Sequence, residues 1–583
     1  MTDPRPGILS IRAINQYRRR DVLSYLGLRY YLASSAAQAD NWAERAAVDV
    51  ALARSGPAYF RSLHFKEVNA QQMIEHRQIS LPAPNEALAE AALLDQCAGL
   101  PEAFANPPCV YSYELARGSD QKELGIFKPY FEGYLQRHGA IAAACDACPD
   151  GIVQYVDIKR FYPSITADIA LAAWRGHADL GNLGERYRDL GEKLIRDHEG
   201  GRAPGDKAIL TGPMFSHLLA NLVLRPIDLE FAEAPSVKYF RYVDDFVLVG
   251  ERASVRESLA TLNDRLGRLG LELYDDSSPH KFIEVPCGDW LVGRDDFKDD
   301  AGAVSWKALI GGLKGFLLNR AAERQDLHGA FLGEGLRIPT RDYSGLARET
   351  TFLERIDELA EFRWFRRKVQ TTSISSLVRH ALSLRNTYER ELRTLLAGAA
   401  DLTGFDRKRR IPRLRFLAAR LVYLATEESL ASLATAVREL PELHLHAEVM
   451  AAVASGDISG LLASGANAAQ AAAQPLRAAN RPARLSLRTL DRAAALGLAV
   501  FHFNGVPVSC PALQEGHESE LLRFAKEGVD VPLMRSLDPF VRELACLHGL
   551  SAQPRHADLI ETAFDRDELL ALDAVDQLQQ SQS

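Results

Sequence analysis

Cysteine is scarce: the chain has seven in 583 residues, an odd number at scattered spacing. That excludes a disulfide framework and points to a reducing compartment. Long apolar runs are missing too, since no segment approaches about eighteen uninterrupted apolar residues. The first twenty residues carry Pro4, Pro6 and Arg18-Arg19-Arg20 but no apolar stretch of signal-peptide type. Neither secretion nor a membrane partner is expected, and the location implied is cytoplasmic. Positive charge is not in excess either: 69 Lys and Arg stand against 77 Asp and Glu, a net of −8. A histone-like or basic-arm binder is thereby excluded, and any nucleic-acid partner must be held by a local basic groove.

What is present is globular. At 47% hydrophobic and 25% charged, most of the chain is not disordered, and its length implies roughly two to four domains. Apolar residues recur at three- and four-residue spacing over 11–53, with a break at Ser34-Ser35, so the first hundred residues are expected to be mostly helical. Between Gly151 and Gly293 short β-branched and aromatic runs (152–158, 239–249, 282–285, 290–292) alternate with helical stretches such as 216–231 and 253–270. This is an α+β pattern with an antiparallel element. From about Trp306 the pattern is helical, with amphipathic segments at 344–368, 374–397, 411–438 and 485–503. The Ala-rich stretch 464–482 reads as a helix followed by a linker, with a flexible joint near 479–482. Cys145 and Cys148 form a single C-x-x-C, with His138 the nearest further ligand. It reads as a zinc half-site or, with more weight, as semi-buried thiols at a helix end.

The most informative strings are acidic. In 239–249 two runs of strand character flank Asp244 and Asp245, a hairpin with acids at its apex. Taken alone, such a pair is ordinary turn chemistry. Upstream, however, an apolar strand from Gly151 delivers Asp157 at its C-terminal end, before an aromatic pair and a Pro-led helix start. Two such strands side by side would bring Asp157 within a few ångströms of Asp244 or Asp245. Carboxylates so gathered repel one another unless divalent cations occupy the site. Two metals about 3.5–4 Å apart, one activating a 3′-hydroxyl and one holding a triphosphate, are what in-line nucleotidyl transfer requires.

These residues resemble the motifs of reverse transcriptases. Tyr242-Val243-Asp244-Asp245 is similar to the Y-x-D-D motif, and DIKRFYPSI at 157–165 to the motif carrying the first aspartate. Between them, GPMFSHLLANLVLRPID at 212–228 is similar to the helix that supports template and incoming nucleotide. Lys281, after GLEL at 270–273, matches the lysine-bearing motif, and WLVG at 290–293 the primer-grip turn. The resemblance implies an α+β right-hand polymerase, with fingers and a palm built on an antiparallel sheet, followed by an all-α, HEAT-like C-terminal domain. The implied division is 1–150 helical N-terminal region and fingers, 151–300 palm, 301–400 thumb-like helices and 401–583 helical repeat-like domain. It also implies Asp157, Asp244 and Asp245 as catalytic acids, binding two Mg2+ (with Mn2+ as substitute) together with the Ile158 carbonyl. Tyr162 would close the sugar pocket against a 2′-hydroxyl, and Thr211, Gly212 and Lys281 would meet the nucleotide. Ser216, Ala220 and Asn221 share one helix and either pack or contact substrate. There are departures: ILTG at 209–212 stands where L-P-Q-G is usual, and Arg117, Lys128 and Arg137 are the candidates for a triphosphate clamp without a convincing motif.

The wording FYPSI at 161–165 and FKPYFEGY at 127–134, with a long helical extension and no RNase H or maturase pattern, resembles the bacterial abortive-infection and unknown-group reverse transcriptases of phage defence. That resemblance covers about residues 60–300. It implies RNA-directed DNA polymerase activity on dNTPs, from a nucleic-acid or protein primer and in some members without a conventional template. Implied partners are DNA or RNA as template or product, a non-coding RNA, and either further copies of the chain or a partner defence protein. Basic clusters suit a nucleic-acid path in the extension: Arg363, Arg366 and Arg367 with interleaved aromatics, then Arg409 and Arg410 within 407–415. Such runs are also common as solvated helix faces. The alternative is an abortive-infection toxin whose extension is a HEPN-like RNase regulated by the polymerase. Its R-x-x-x-x-H motif is approached by residues 385–390, which lack the histidine. A third possibility, a degenerate palm used as a scaffold, is disfavoured by the presence of all three acids.

Overall fold

The computed structural model describes residues 9, 12–13, 16, 42–69, 71, 73–117, 125–128, 130–234, 236–278, 281–292, 305–340, 372–402, 404–514, 519–528 and 530–550. Helix α1 (Val48–Ala53) leads into an antiparallel hairpin of β1 (Tyr59–Val68) and β2 (Ile74–Pro82), with a register shift between Phe65 and Glu67. The hairpin corrects the expectation of helix through most of the first hundred residues. β1 does alternate at first, but between the buried Phe60 and Phe65 its inward positions are Ser62 and His64, so hydrophobic periodicity does not show it. Helix α2 (Pro84–Ala98) starts on a proline whose missing N–H would have had no helical partner.

Helix α3 (Tyr130–Ala147) precedes β3 (Ile152–Asp157), a β-branched run buried at every position. After α4 (Ala167–Leu180), α5 (Glu185–Gly201) and α6 (Met214–Ala232) come β4 (Val237–Tyr242), β5 (Asp245–Gly250), α7 (Arg252–Arg268), β6 (Phe282–Pro286) and α8 (Cys287–Val292). The four strands form one antiparallel sheet in the order β4-β5-β3-β6. Period-two alternation sends Val156, Phe246 and Leu248 into the main core with residues of α6 and α7. The opposite face, with Val153, Tyr155 and Val247, packs against Ile141 and Cys145 of α3 and Trp290 of α8. The 290–292 segment, expected as strand, is therefore the end of a short helix. A helical turn lets Trp290 lie flat on His138, with ring centroids 5.6 Å apart and 3° between planes.

Helices fill the rest: α9 (Trp306–Asn319), α10 (Arg324–Gly333), α11 (Ile374–Leu396), α12 (Gly404–Leu424), α13 (Glu427–Val437), α14 (His444–Ser455) and α15 (Ala466–Ala478). They are followed by β7 (Ala483–Arg484), α16 (Arg492–Phe503), β8 (Val508–Ser509), α17 (Glu520–Glu527) and α18 (Pro539–Leu550), with β7 and β8 forming a two-residue parallel pair. The predicted 411–438 helix is two, divided where Thr426 caps α13 by accepting from Ser429 N. The predicted 485–503 helix starts only at Arg492, because the Asp491 carboxylate accepts from Ala494 N at 2.8 Å while Leu485 N is already committed to Ser509 O. The expected joint at 479–482 is tied down instead. Asn480 N and Arg481 N bond back to α15, and Arg481 Nη1 donates to Val453 O at 3.0 Å. The 344–368 segment, with Arg363, Arg366 and Arg367, lies outside the described residues, as do Gly293 and most of 11–41.

The last helices close back onto the first hairpin. Phe65 stacks on His444, Phe60 on Phe540, and Phe65 N donates to Asn467 Oδ1 at 3.2 Å. Arg54 pairs with Glu86 of α2 at 2.8 Å and with Glu543 of α18. One apolar cluster therefore runs from the hairpin through the sheet into the C-terminal helices. Among the described residues no helix is long and apolar enough to cross a membrane. The architecture is mixed α/β, with small antiparallel sheets and a helical C-terminal region.

Candidate active site

β3 ends at Asp157 and β5 begins at Asp245, and the register sets these two directly opposite. Asp244 lies in the two-residue turn between β4 and β5, and its carbonyl accepts from Ile158 N at 3.1 Å. The three acids predicted from sequence are thus brought together, with Asp157 deepest at 4% exposed and the other two half-buried. Lys281, at the start of β6, donates to the Asp157 carboxylate.

The electrostatics follow from crowding. Burial first, and then the charges of Asp244 and Asp245, push the Asp157 carboxyl up to about 8 although Lys281 pulls it down. Asp244 is pushed up to about 6, again by burial first and then by Asp245. On Lys281, burial works against the ammonium, but the facing carboxylates overcome it and the net shift is upward. Strong carboxylate shifts of this kind, arising from burial and then from like charges brought together by adjoining strands, are common at sites built for charged ligands.

Asp157 Oδ1 is buried with no hydrogen-bond partner. A buried carboxylate oxygen left in this way costs free energy unless something binds it. Hard oxygen donors suit magnesium or manganese, so Asp157, Asp244, Asp245 and the Ile158 carbonyl are donors of the right kind for such a cation, although as they stand the three carboxylates do not form a ready cage.

Two cations missed in the sequence complete the surroundings. Arg77 on β2 is exposed, and its charge reaches Asp244 and works to lower its proton affinity. Arg77 faces His64 across the hairpin, so only the missed hairpin explains its placement. Lys408 of α12 rests its ammonium 4.4 Å from the Tyr155 ring centroid, and its charge is felt at Asp245 and Asp157. Arg137, a predicted triphosphate clamp, is instead buried against the sheet, with Nη1 3.7 Å from Asp245 Oδ2 and its guanidinium over Tyr155 and Tyr242. Lys128, another candidate, is paired with Glu114 at 3.0 Å.

Tyr162 follows Asp157 on a one-turn helix and is 9% exposed, its hydroxyl 2.6 Å from His217 Nδ1. His217 in turn stacks on Tyr113 at 3.8 Å. Gly212 has φ of +125° and is pressed against the hairpin: a Cβ there would come 2.4 Å from Ser80 O. Ser80 N donates to Thr211 O at 2.7 Å, so the loop before α6 is bonded to β2. On α6, Ser216 Oγ donates to Leu210 O, Ala220 is buried, and Asn221 Nδ2 donates to Asn106 Oδ1 and Ser112 O. All three pack or brace the loop and sheet.

The arginines of 407–415 are largely engaged with their own helices. Arg407 makes a bidentate pair with Glu442, Arg413 with Glu391, and Arg415 is buried. Arg409 is half-buried, 3.9 Å from Asp406, and Arg410 is half-buried beside it. Arg409 lines a 410 Å³ cleft whose charged residues are Glu284, Asp289 and Asp406 against that one guanidinium, a poor match for a phosphate backbone. The C-x-x-C thiols sit at the end of α3, with Cys145 buried against Cys287 and Cys148 half-buried. Among the described residues no three His, Cys, Asp or Glu side chains form a ready metal cage.

No family model matches the chain, and no curated protein does. Among solved structures it is similar to telomerase from Candida albicans in complex with a fragment of telomeric RNA, at 11% identity and a TM-score of 0.28 over 68% of this chain. The chain spans 66% of the length of that structure. A likeness so slight assigns neither fold nor function.

Proposed function

We propose that the chain is a nucleotidyltransferase of reverse-transcriptase type, an RNA-directed DNA polymerase with a right-hand arrangement of the β1–β2 hairpin, the four-stranded sheet and the helices after it. The observation that carries this reading is the register that sets Asp157 opposite Asp245, beside Asp244, with a buried Asp157 oxygen lacking a partner. Asp157, Asp244 and Asp245, with the Ile158 carbonyl, would hold divalent magnesium, which when bound activates a 3′-hydroxyl and neutralises the triphosphate. The primer oxygen bonds to the α-phosphorus of a dNTP while the bond to pyrophosphate breaks. Lys281 holds the Asp157 carboxylate in place and would set its positive charge against the negative charge that builds on the departing pyrophosphate. Arg77 brings a second cation from the hairpin to the same site, and the Tyr162 ring, fixed by His217, would exclude a 2′-hydroxyl.

The further reading, a bacterial phage-defence enzyme that extends a nucleic-acid or protein primer and works with nucleic acid and with other copies or a partner protein, rests on the wording of the motifs at 127–134 and 157–165. The nuclease alternative gains no support at Arg385, whose guanidinium caps α12 by donating to Leu424 O at 2.6 Å.

The test compares wild type and Asp244→Ala with labelled dNTPs, magnesium and a range of templates. The expected result is incorporation that falls by at least about a thousandfold in the variant, as loss of a metal-holding carboxylate requires. Absence of any acid-dependent incorporation, with all templates and without one, would sink the proposal. RNA cleavage that survives the substitution would favour the nuclease.

A further inference from the structure

The turn that carries Asp244 is strained. Val243 has φ of +56°, in the left-handed region, where a β-branched side chain is a rare and costly occupant. Such a conformation persists only when its surroundings over-determine it, and here both backbone polar groups of Val243 are held by side chains, one from the loop at Ser112 and one from Arg241 of β4. Its N–H donates to Ser112 Oγ at 2.8 Å, and its carbonyl accepts from Arg241 Nη1 at 2.9 Å.

Each arm of this grip is itself fixed. Arg241 is fully buried and makes a two-pronged pair with the equally buried Asp228, through Nε to Oδ1 at 2.7 Å and Nη2 to Oδ2 at 2.7 Å. Its Nη1 also donates to Asn221 Oδ1 at 3.1 Å, and Asp228 takes a further bond from the Tyr239 hydroxyl at 2.7 Å. A planar guanidinium in a fork of this kind cannot slide without breaking two charge-assisted bonds in a dry interior. Ser112 is buried, and its own carbonyl accepts from Asn221 Nδ2 at 3.1 Å. Asn221 therefore joins the two arms, and α6, the 112 loop and the β4–β5 turn form one unit.

We propose that Ser112 and Arg241 are positioning residues that clamp Val243 in its left-handed conformation and thereby set where Asp244 projects relative to Asp157. This rests on the polymerase reading of the acids for its kinetic consequence, though not for its structural one. On the far side of the turn, the Asp244 carbonyl is held by Ile158 N. The acid is thus gripped from the sheet on one side and from the buried network on the other. Without the Ser112 hydroxyl, Val243 has every reason to relax to negative φ, and Asp244 turns with it.

The experiment uses the full chain as wild type, Ser112→Ala, Val243→Gly and the double variant. Glycine takes positive φ without penalty, so it removes the strain that the clamp opposes. The expected result is that S112A lowers kcat for dNTP incorporation at least tenfold and raises the magnesium midpoint, with KM for primer unchanged. The double variant should recover most of the lost kcat. Amide hydrogen exchange gives a readout free of activity: the Val243 amide should exchange at least tenfold faster in S112A while amides of the β3–β5 ladder keep their wild-type rates. Wild-type kinetics and exchange in S112A, or penalties of S112A and V243G that simply multiply, would overturn the clamp. If the wild-type chain incorporates no nucleotide at all, the polymerase reading fails, and exchange at Val243 then decides the clamp alone.

Discussion

Tyr162 shows how a single residue is readable in type and not in setting. Its place five positions after Asp157 suggested the sugar-selecting role, but nothing in the sequence linked it to His217, whose ring nitrogen lies 2.6 Å from its hydroxyl, or to Tyr113 stacked beyond. Those contacts matter because a gate works only if its ring cannot swing aside. Tyr162→Ala should therefore admit ribonucleotides, raising their incorporation relative to deoxynucleotides at least tenfold in competition assays with matched rNTP and dNTP. An unchanged ratio would remove Tyr162 from the role. The meeting of the acids was legible only because two strand-like runs each lead to a carboxylate, since the Asp244-Asp245 pair by itself is ordinary turn chemistry. Arg241 and Ser112 were not, since a buried ion pair and a buried hydroxyl leave no periodic signal.

Among elements, the decisive joint is between β2 and the loop leading into α6. Gly212 occupies φ of +125°, and its Cα faces Ser80 O so closely that a Cβ would overlap it at 2.4 Å. Both strain and overlap oppose any side chain there. Gly212→Ala should cost about 1–3 kcal/mol and lower the thermal midpoint. It should also raise KM for dNTP, because the hairpin that carries Arg77 is bonded to this loop through Ser80 and Thr211. A variant with wild-type midpoint and KM would show that the contact does not couple the two elements. The helix α6 was foreseen almost to its ends because its apolar pattern and the glycine and proline before it are local signals. The hairpin was missed because Ser62 and His64 interrupt the apolar positions of its buried face between Phe60 and Phe65.

For the whole molecule, the link between α2 and α18 is a titratable one. Arg54 bridges Glu86 on α2 and Glu543 on α18. Burial, and then the Glu543 charge, push the Glu86 carboxyl from its ordinary 4.5 up to about 8, with Arg54 acting against them. The folded chain therefore holds a proton that the unfolded chain has already lost above about 4.5. The stability from this group is complete below pH 4.5 and is lost as pH rises through about 8. Glu86→Gln, which keeps the shape without the titration, should flatten the fall in thermal midpoint of the full chain between those values. Parallel profiles for wild type and variant would show that Glu86 does not titrate in this way.

What the sequence determined by itself is whatever is encoded locally: strands of β-branched residues ending in acids, the helical character of the second half, and the absence of a disulfide framework. Tertiary structure alone decided which residues meet across long separations. It decided that Asp157 faces Asp245, that Ser112 and Arg241 grip one strained valine, that arginines of α12 pair with glutamates rather than stand free, and that the C-terminal helices close onto the first hairpin. The reason is physical: local propensity acts through neighbours in the chain, whereas register, burial and the pairing of buried charges depend on groups that only the folded core brings within a few ångströms.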